Sequence, residues 1–244
     1  MKTPLEILYI PYRETEYKIF LKTNNLAKRL ILKADPVTAQ IILVKPQRTS
    51  KKKAIEFAIK NSKWIENEIK SFKPKIDFIA GSLIPILGEP CELTHIESKL
   101  NNVTKEGPKI IITCKKEDMP EKLRNWIKQE AKEIITNVAK TYSDKVSKKF
   151  RRLSIKEMDY RWGSCSKEGN LNFSWRIFMT PRRVFDYIIA HEVAHLVELN
   201  HSMRFWKTVD LLNNDRLFAT KWLKENNEQL HRYDRKNIEN SIND

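Results

Sequence analysis

Residues 181–206 read PRRVFDYIIAHEVAHLVELNHSMRFW. His191 and His195 are four apart, so on a helix both imidazoles project from one face, about one turn from each other. Two imidazoles so placed can share one metal ion. Glu192 follows the first histidine and points to the side, where it can reach a water held by that ion without being a ligand. This is the HExxH pattern of zinc metallopeptidases. Val184, Tyr187, Ile188, Ile189, Val193, Ala194, Leu196 and Val197 make the stretch apolar almost all round, which predicts a buried helix. Thr180 suits its N-cap and Pro181 its first turn. The alternative is a core helix with two satisfied histidines. Two His and a Glu inside such a helix are costly without a partner, and a metal is the partner that fits.

A catalytic zinc takes three protein ligands and a water. His201 lies ten residues after His191, and three of the five histidines in the chain fall in this segment. Metzincins use the same spacing, with a glycine where this chain has Glu198. The turn that glycine provides must arise elsewhere, and Asn200, which tolerates left-handed backbone, is the expected place. His201 is the expected third ligand, with Glu198 its rival.

The segment HEVAHLVELNHSMRFW, preceded by Arg161-Trp162-Gly163-Ser164-Cys165, resembles the YgjP-like metallopeptidase family, related to the WLM and SprT-like zincins. The resemblance extends over nearly the whole chain. It implies a zincin-like catalytic domain, with a small mixed sheet and the HExxH helix; the strand pattern of the first 118 residues adds a β-rich N-terminal module before it, so the expected fold class is α+β. The resemblance also implies one Zn²⁺ per chain on His191, His195 and His201, with Glu192 as the catalytic residue. It supplies no substrate.

The 244 residues can bury a sizeable core and suit one large or two small domains. The first twenty residues are interrupted by charge and have no signal-peptide core, and no stretch is long enough to span a membrane. Three cysteines, Cys91, Cys114 and Cys165, include no CxxC, which fits a reducing compartment. The expected location is the cytoplasm. Net charge is +15, with basic clusters at Lys51–Lys53, Lys148–Arg152 and Arg182–Arg183. Such charge implies either a solvated surface or weak, non-specific nucleic-acid contact through counterion release.

Along the chain, Ile7–Ile10, Tyr17–Leu21, Ala27–Leu32 and Gln40–Val44 read as strands. A helix is expected from about Ser50 to Phe72, its face marked by Ile55, Ile59, Ser62, Ile65, Ile69 and Phe72, with Trp64 beside it. Asp77–Leu87 and Glu92–Ile96 read as a hairpin, residues 101–108 as a polar loop, and Lys109–Cys114 as a strand. From Met119, the residues Leu123, Ile127, Ala131, Ile134, Val138, Tyr142 and Val146 form the clearest helical stripe. Strands at Leu153–Met158 and Leu171–Trp175 precede the metal helix, and two helices follow it. The expected division is an N-terminal module at 1–118, a metallopeptidase domain at 119–235 and a polar tail at 236–244. No internal repeat is visible.

Arg161, Trp162 and Gly163 are candidate substrate-binding residues. A peptide could add as a strand beside the metal, with Trp162 lining a pocket, Arg161 binding a carbonyl or anion, and Gly163 admitting close approach of another backbone or of the metal helix. The alternative is a hairpin packed on the metal helix with Trp162 in the core. Cys165 reads as a small buried residue, and His95 and His231 as ordinary. Tyr160 and Tyr187 are both candidates for stabilising an oxyanion. The expected function is zinc-dependent peptide or protein hydrolysis. Its rivals are a metal-dependent nucleoside triphosphate (UTP) pyrophosphatase and a basic nucleic-acid-associated accessory protein. Scattered glycines leave no Walker-type loop for the former.

Overall fold

The computed structural model describes residues 5–235, and the tail expected at 236–244 lies outside the described residues. The described chain forms two compact units, residues 5–75 and 76–235. The division thus falls about forty residues before the expected one. The reason is the core of the second unit, in which strand residues such as Ile84, Leu93 and Ile110 share one apolar cluster with Leu123, Phe173 and Val193.

The first unit opens with β1 (Glu6–Tyr12), β2 (Thr15–Asn24), β3 (Ile31–Asp35) and β4 (Gln40–Pro46). The sheet order is β1-β2-β4-β3, with β2 and β4 parallel and the outer pairs antiparallel. The expected single helix is two, α1 (Lys51–Lys60) and α2 (Ser62–Ser71). Asn61 breaks it: its side chain donates to the Phe57 carbonyl at 2.7 Å, competing with the helical ladder. The break re-aims the apolar face, so that Ala54, Ala58 and Ile65 are buried while Ile59 is exposed.

The second unit opens with β5 (Leu83–Ile86), β6 (Glu89–Glu97), β7 (Asn102–Glu106) and β8 (Lys109–Cys114). The loop expected at 101–108 is therefore largely a strand, a solvent-facing edge paired to β8. The order is β5-β6-β8-β7, again with the central pair parallel and the outer pairs antiparallel. The two four-stranded sheets thus repeat one topology, although no repeat shows in the sequence.

Helix α3 (Met119–Lys145) follows, burying Leu123, Ile127, Ala131, Ile135 and Ala139 at four-residue spacing. Ile134, Val138 and Tyr142 flank that line, half-buried. Then come β9 (Arg152–Lys156), β10 (Gly163–Cys165) and β11 (Asn170–Ser174), in the order β10-β11-β9, with β10 antiparallel and β9 parallel to β11. A 3-10 turn at Trp175–Met179 leads to α4 (Arg182–Ala194), α5 (Met203–Leu212) and α6 (Arg216–Arg232).

Candidate metal centre

Helix α4 carries the HExxH segment. Pro181, not Thr180, occupies its N-cap, and the Thr180 hydroxyl donates to the Ile177 carbonyl instead. The β5–β6 turn presses against this start: an added Cβ on Gly88, which has φ +88°, would lie 2.8 Å from Pro181 Cα. Val184, Phe185, Ile189 and Val193 are completely buried and seat the helix in the core, while Arg182 and Arg183 at its start stay exposed. It ends at His195, so the second histidine of the motif sits at the C-cap. The chain then turns without left-handed backbone at Asn200. The Asn200 side chain instead accepts from the Ser202 N–H at 2.9 Å, and the Ser202 hydroxyl caps α5 by accepting from Phe205 N–H at 3.4 Å. Local side-chain bonds therefore do what a glycine does in a metzincin.

This turn carries His201 back onto α4. Ligand nitrogens of His191, His195 and His201 all lie within 4.8 Å of one another. The Nε2 atoms of His191 and His201 are 3.2 Å apart. A tetrahedral zinc with nitrogens at roughly 2.0–2.1 Å would set its ligand atoms about 3.3 Å apart, so the spacing fits one ion. His195 Nδ1 is 3.0 Å from the Glu198 carbonyl, which accepts from the ring and leaves Nε2 its lone pair. Among the described residues Glu198 and Cys165 are not part of this cluster. Glu198 serves through its main chain.

The electrostatics suit ligation. Burial, then the neighbouring His195, His201 and Arg216, pulls the His191 pKa down to about 4. Burial also lowers His195, against the Glu198 hydrogen bond, which raises it, while His201 adds to the lowering. Both rings are neutral near pH 7, as metal ligands must be. An aromatic shell fixes the imidazoles. The Phe205 ring centroid lies 4.9, 4.5 and 4.7 Å from those of His191, His195 and His201, and Trp206 stacks on His201 at 5.5 Å. Phe205 and Trp206 close the segment that carries the family resemblance and fall in the first helix expected after the metal helix, with no site role assigned to them from sequence. Their place four and five residues after His201, in the first turn of a Ser-capped helix, is the signal that points them at the site.

Glu192 is 6% exposed. Burial raises its pKa to about 8, against the charge of Arg161, which lowers it. Its side chain runs along β10, where Gly163 leaves the room. A cleft of about 240 Å³ opens here, lined by Trp162, Gly163, Tyr187, His191, Glu192 and Thr220 among others. Trp162 is half-buried, stacked on His231 with centroids 5.0 Å apart, and lines the cleft as well. Trp162 thus both packs on a neighbouring ring and lines the cleft. Arg161 is exposed beside it. Tyr187 lines the cleft, with its ring 6.1 Å from that of His191, whereas Tyr160 is 69% exposed. Cys165 is half-buried, and burial pushes its thiol up to about 11 with a contribution from Glu192. His95 is bonded to the Cys114 carbonyl in the sheet.

A family model described as YgjP-like, metallopeptidase domain, matches residues 28–226. Among solved structures, the metallopeptidase zymogen of Pyrococcus abyssi abylysin is similar at 20% identity and a TM-score of 0.34, over 41% of this chain and 97% of that one. No curated protein matches the chain.

Proposed function

The chain belongs to the YgjP-like metallopeptidase domain family, and we propose that it is a zinc-dependent peptidase of the HExxH type. The observation that carries the reading is the convergence of three imidazole nitrogens beside a buried carboxylate that is not among them. His191, His195 and His201 would hold one Zn²⁺. When bound, zinc lowers the pKa of a coordinated water and polarises a carbonyl. Glu192 takes the proton of the attacking water and delivers it to the leaving amine. Its burial beside the cleft keeps the carboxylate within reach of that water and away from bulk solvent. Phe205, Trp206 and the Glu198 carbonyl hold the rings in place. The cleft beside them, walled by Trp162 and Tyr187, takes the substrate.

The test is hydrolysis of a casein-derived peptide mixture by the purified chain. Cleavage should disappear with a chelator and return with added zinc. Cleavage that persists without metal removes the zinc reading. Chelator-sensitive turnover of UTP with no peptide cleavage would replace the peptidase by the pyrophosphatase.

A further inference from the structure

Helix α6 carries, one turn from the residues it gives to the cleft, a cation that the chemistry above does not use. Arg216, Thr220 and Leu223 stand at i, i+4 and i+7, so they share one face of the helix. Thr220 and Leu223 line the cleft with His191 and Glu192. Arg216 is the next residue on that face toward the helix start. Its guanidinium lies over Trp206, 3.4 Å from the ring centroid. Trp206 in turn stacks on His201, the ring planes 22° apart. The Trp206 indole thus contacts both the guanidinium and an imidazole of the metal cluster. The Arg216 charge reaches the site, contributing to the depression of His191 and opposing the rise of Tyr187.

Stacking on an indole holds a guanidinium flat and leaves its N–H edge open to an anion. Among the described residues no carboxylate pairs with Arg216. Asp215, its neighbour in sequence, is taken by Arg183, whose Nε donates to it at 2.7 Å. On the other wall, exposed Arg161 precedes Trp162 and Gly163, and its charge is felt by Glu192. Among the described residues lining the cleft, Glu192 is the one acid, and it is buried. Arg161 thus adjoins the lining residue Trp162, Arg216 stands one helical turn from the lining residue Thr220, and Arg216 is pre-oriented with its hydrogen-bonding edge unused.

We propose that Arg216 is a specificity-determining residue that binds a substrate carboxylate, so that the cleft selects peptides with an acidic group near the scissile bond. The proposal rests on the peptidase reading. The carboxylate comes either from an Asp or Glu side chain or from the peptide C-terminus, and the two offer Arg216 the same bidentate chemistry.

The test measures binding, with the zinc-loaded full chain carrying Glu192→Gln so that no peptide is consumed. Three hexapeptides of otherwise identical sequence are titrated calorimetrically: one with an internal Glu and an amidated end, one with Gln and an amidated end, and one with Gln and a free C-terminus. One of the two acidic peptides should bind about tenfold tighter than the neutral one, as a charged hydrogen-bonded contact allows. Which one does so identifies the source of the carboxylate. Adding Arg216→Gln should cut the preference to about twofold or less, Arg216→Lys should keep part of it, and rising salt should shrink it. Equal binding of all three, binding of none, or a preference that survives Arg216→Gln with the zinc still present overturns the proposal. Peptide cleavage by the unsubstituted enzyme is scored separately, so a failed peptidase reading shows as absent turnover and a failed Arg216 assignment as absent selectivity.

Discussion

A Cβ added to Gly163 would lie 2.5 Å from Cγ and 2.7 Å from Oε1 of Glu192. The β10 backbone and the acid of α4 therefore occupy adjoining space that no larger residue at position 163 leaves free. β10 pairs with β11 through Gly163 and Phe173, and Phe173 is fully buried, so the strand has little room to retreat. The position of the carboxylate is set by a glycine almost thirty residues away in sequence.

Gly163→Ala should accordingly disturb both the fold and the chemistry. Forcing a methyl group into this contact costs about 1–3 kcal/mol, as overpacking does. Displacing the carboxylate by a fraction of an ångström should lower peptide hydrolysis by about tenfold or more. Thermal unfolding and steady-state kinetics read the two effects. Unchanged melting and turnover would show that Glu192 does not lie against β10.

His201→Ala should weaken zinc binding by more than about tenfold, since it removes one of three ligands. Glu198→Ala should leave zinc in place. What Glu198 offers His195 is its backbone carbonyl, and alanine keeps that. Metal content after dialysis against a graded chelator separates the two variants. If Glu198→Ala strips the zinc and His201→Ala does not, the third ligand is reassigned.

Glu157 predicts an acid limb of stability. It accepts from Trp175 Nε1 at 2.8 Å and from the Arg176 guanidinium, and Arg176 is 2% exposed. Burial alone would raise the Glu157 pKa, but the charge and hydrogen bond of Arg176 and the bond from Trp175 outweigh it, and the net shift is downward. A carboxylate with a depressed folded pKa stabilises the fold above its ordinary value of 4.5, and that contribution is lost as pH falls through the folded pKa. Glu157→Gln leaves a buried guanidinium without its counter-charge. The cost at neutral pH should be about 2–3 kcal/mol, toward the low end because the Glu157 side chain is 27% exposed. Denaturant titrations from pH 7 to 3 should show the variant's stability falling less steeply below pH 4.5 than that of the parent. Parallel curves would mean that Glu157 carries no stabilising charge.

The chemistry-bearing segment is legible in sequence because its signal is local. His191, Glu192 and His195 need only a helix to be brought together, and periodicity supplies one. The stripe of α3 is legible for the same reason. What escaped depends on pairing across long separations or on small side chains. β7 is polar and solvent-facing, so nothing in Asn102–Glu106 marks it as a strand until β8 lies beside it. Asn61 looks like an ordinary helix residue until its amide takes the Phe57 carbonyl. The repeated sheet order lies in which strands pair, and side-chain pattern does not encode it. Gly163 was expected to admit a close approach. That the partner on the metal helix is the Glu192 side chain follows from the packing of β10 on α4 and from nothing local to either strand or helix.

Glu192→Gln tests the acid on which the mechanism turns. The substitution keeps shape and hydrogen-bonding reach, so the close fit against Gly163 is preserved. It removes a group that can accept a proton. Zinc content should be unchanged, because the three nitrogens that converge belong to His191, His195 and His201. Hydrolysis should fall by about two to four orders of magnitude, the usual worth of a positioned general base. Folding stability should hold or rise slightly, since a neutral amide costs less to bury than a carboxylate. Metal analysis, turnover and thermal unfolding on one preparation read all three. Loss of zinc together with activity would make Glu192 a ligand or a structural support. Retained zinc with parental turnover of a peptide would remove Glu192 from the proton transfers and leave another group in the cleft, Tyr187 foremost by position, to carry them.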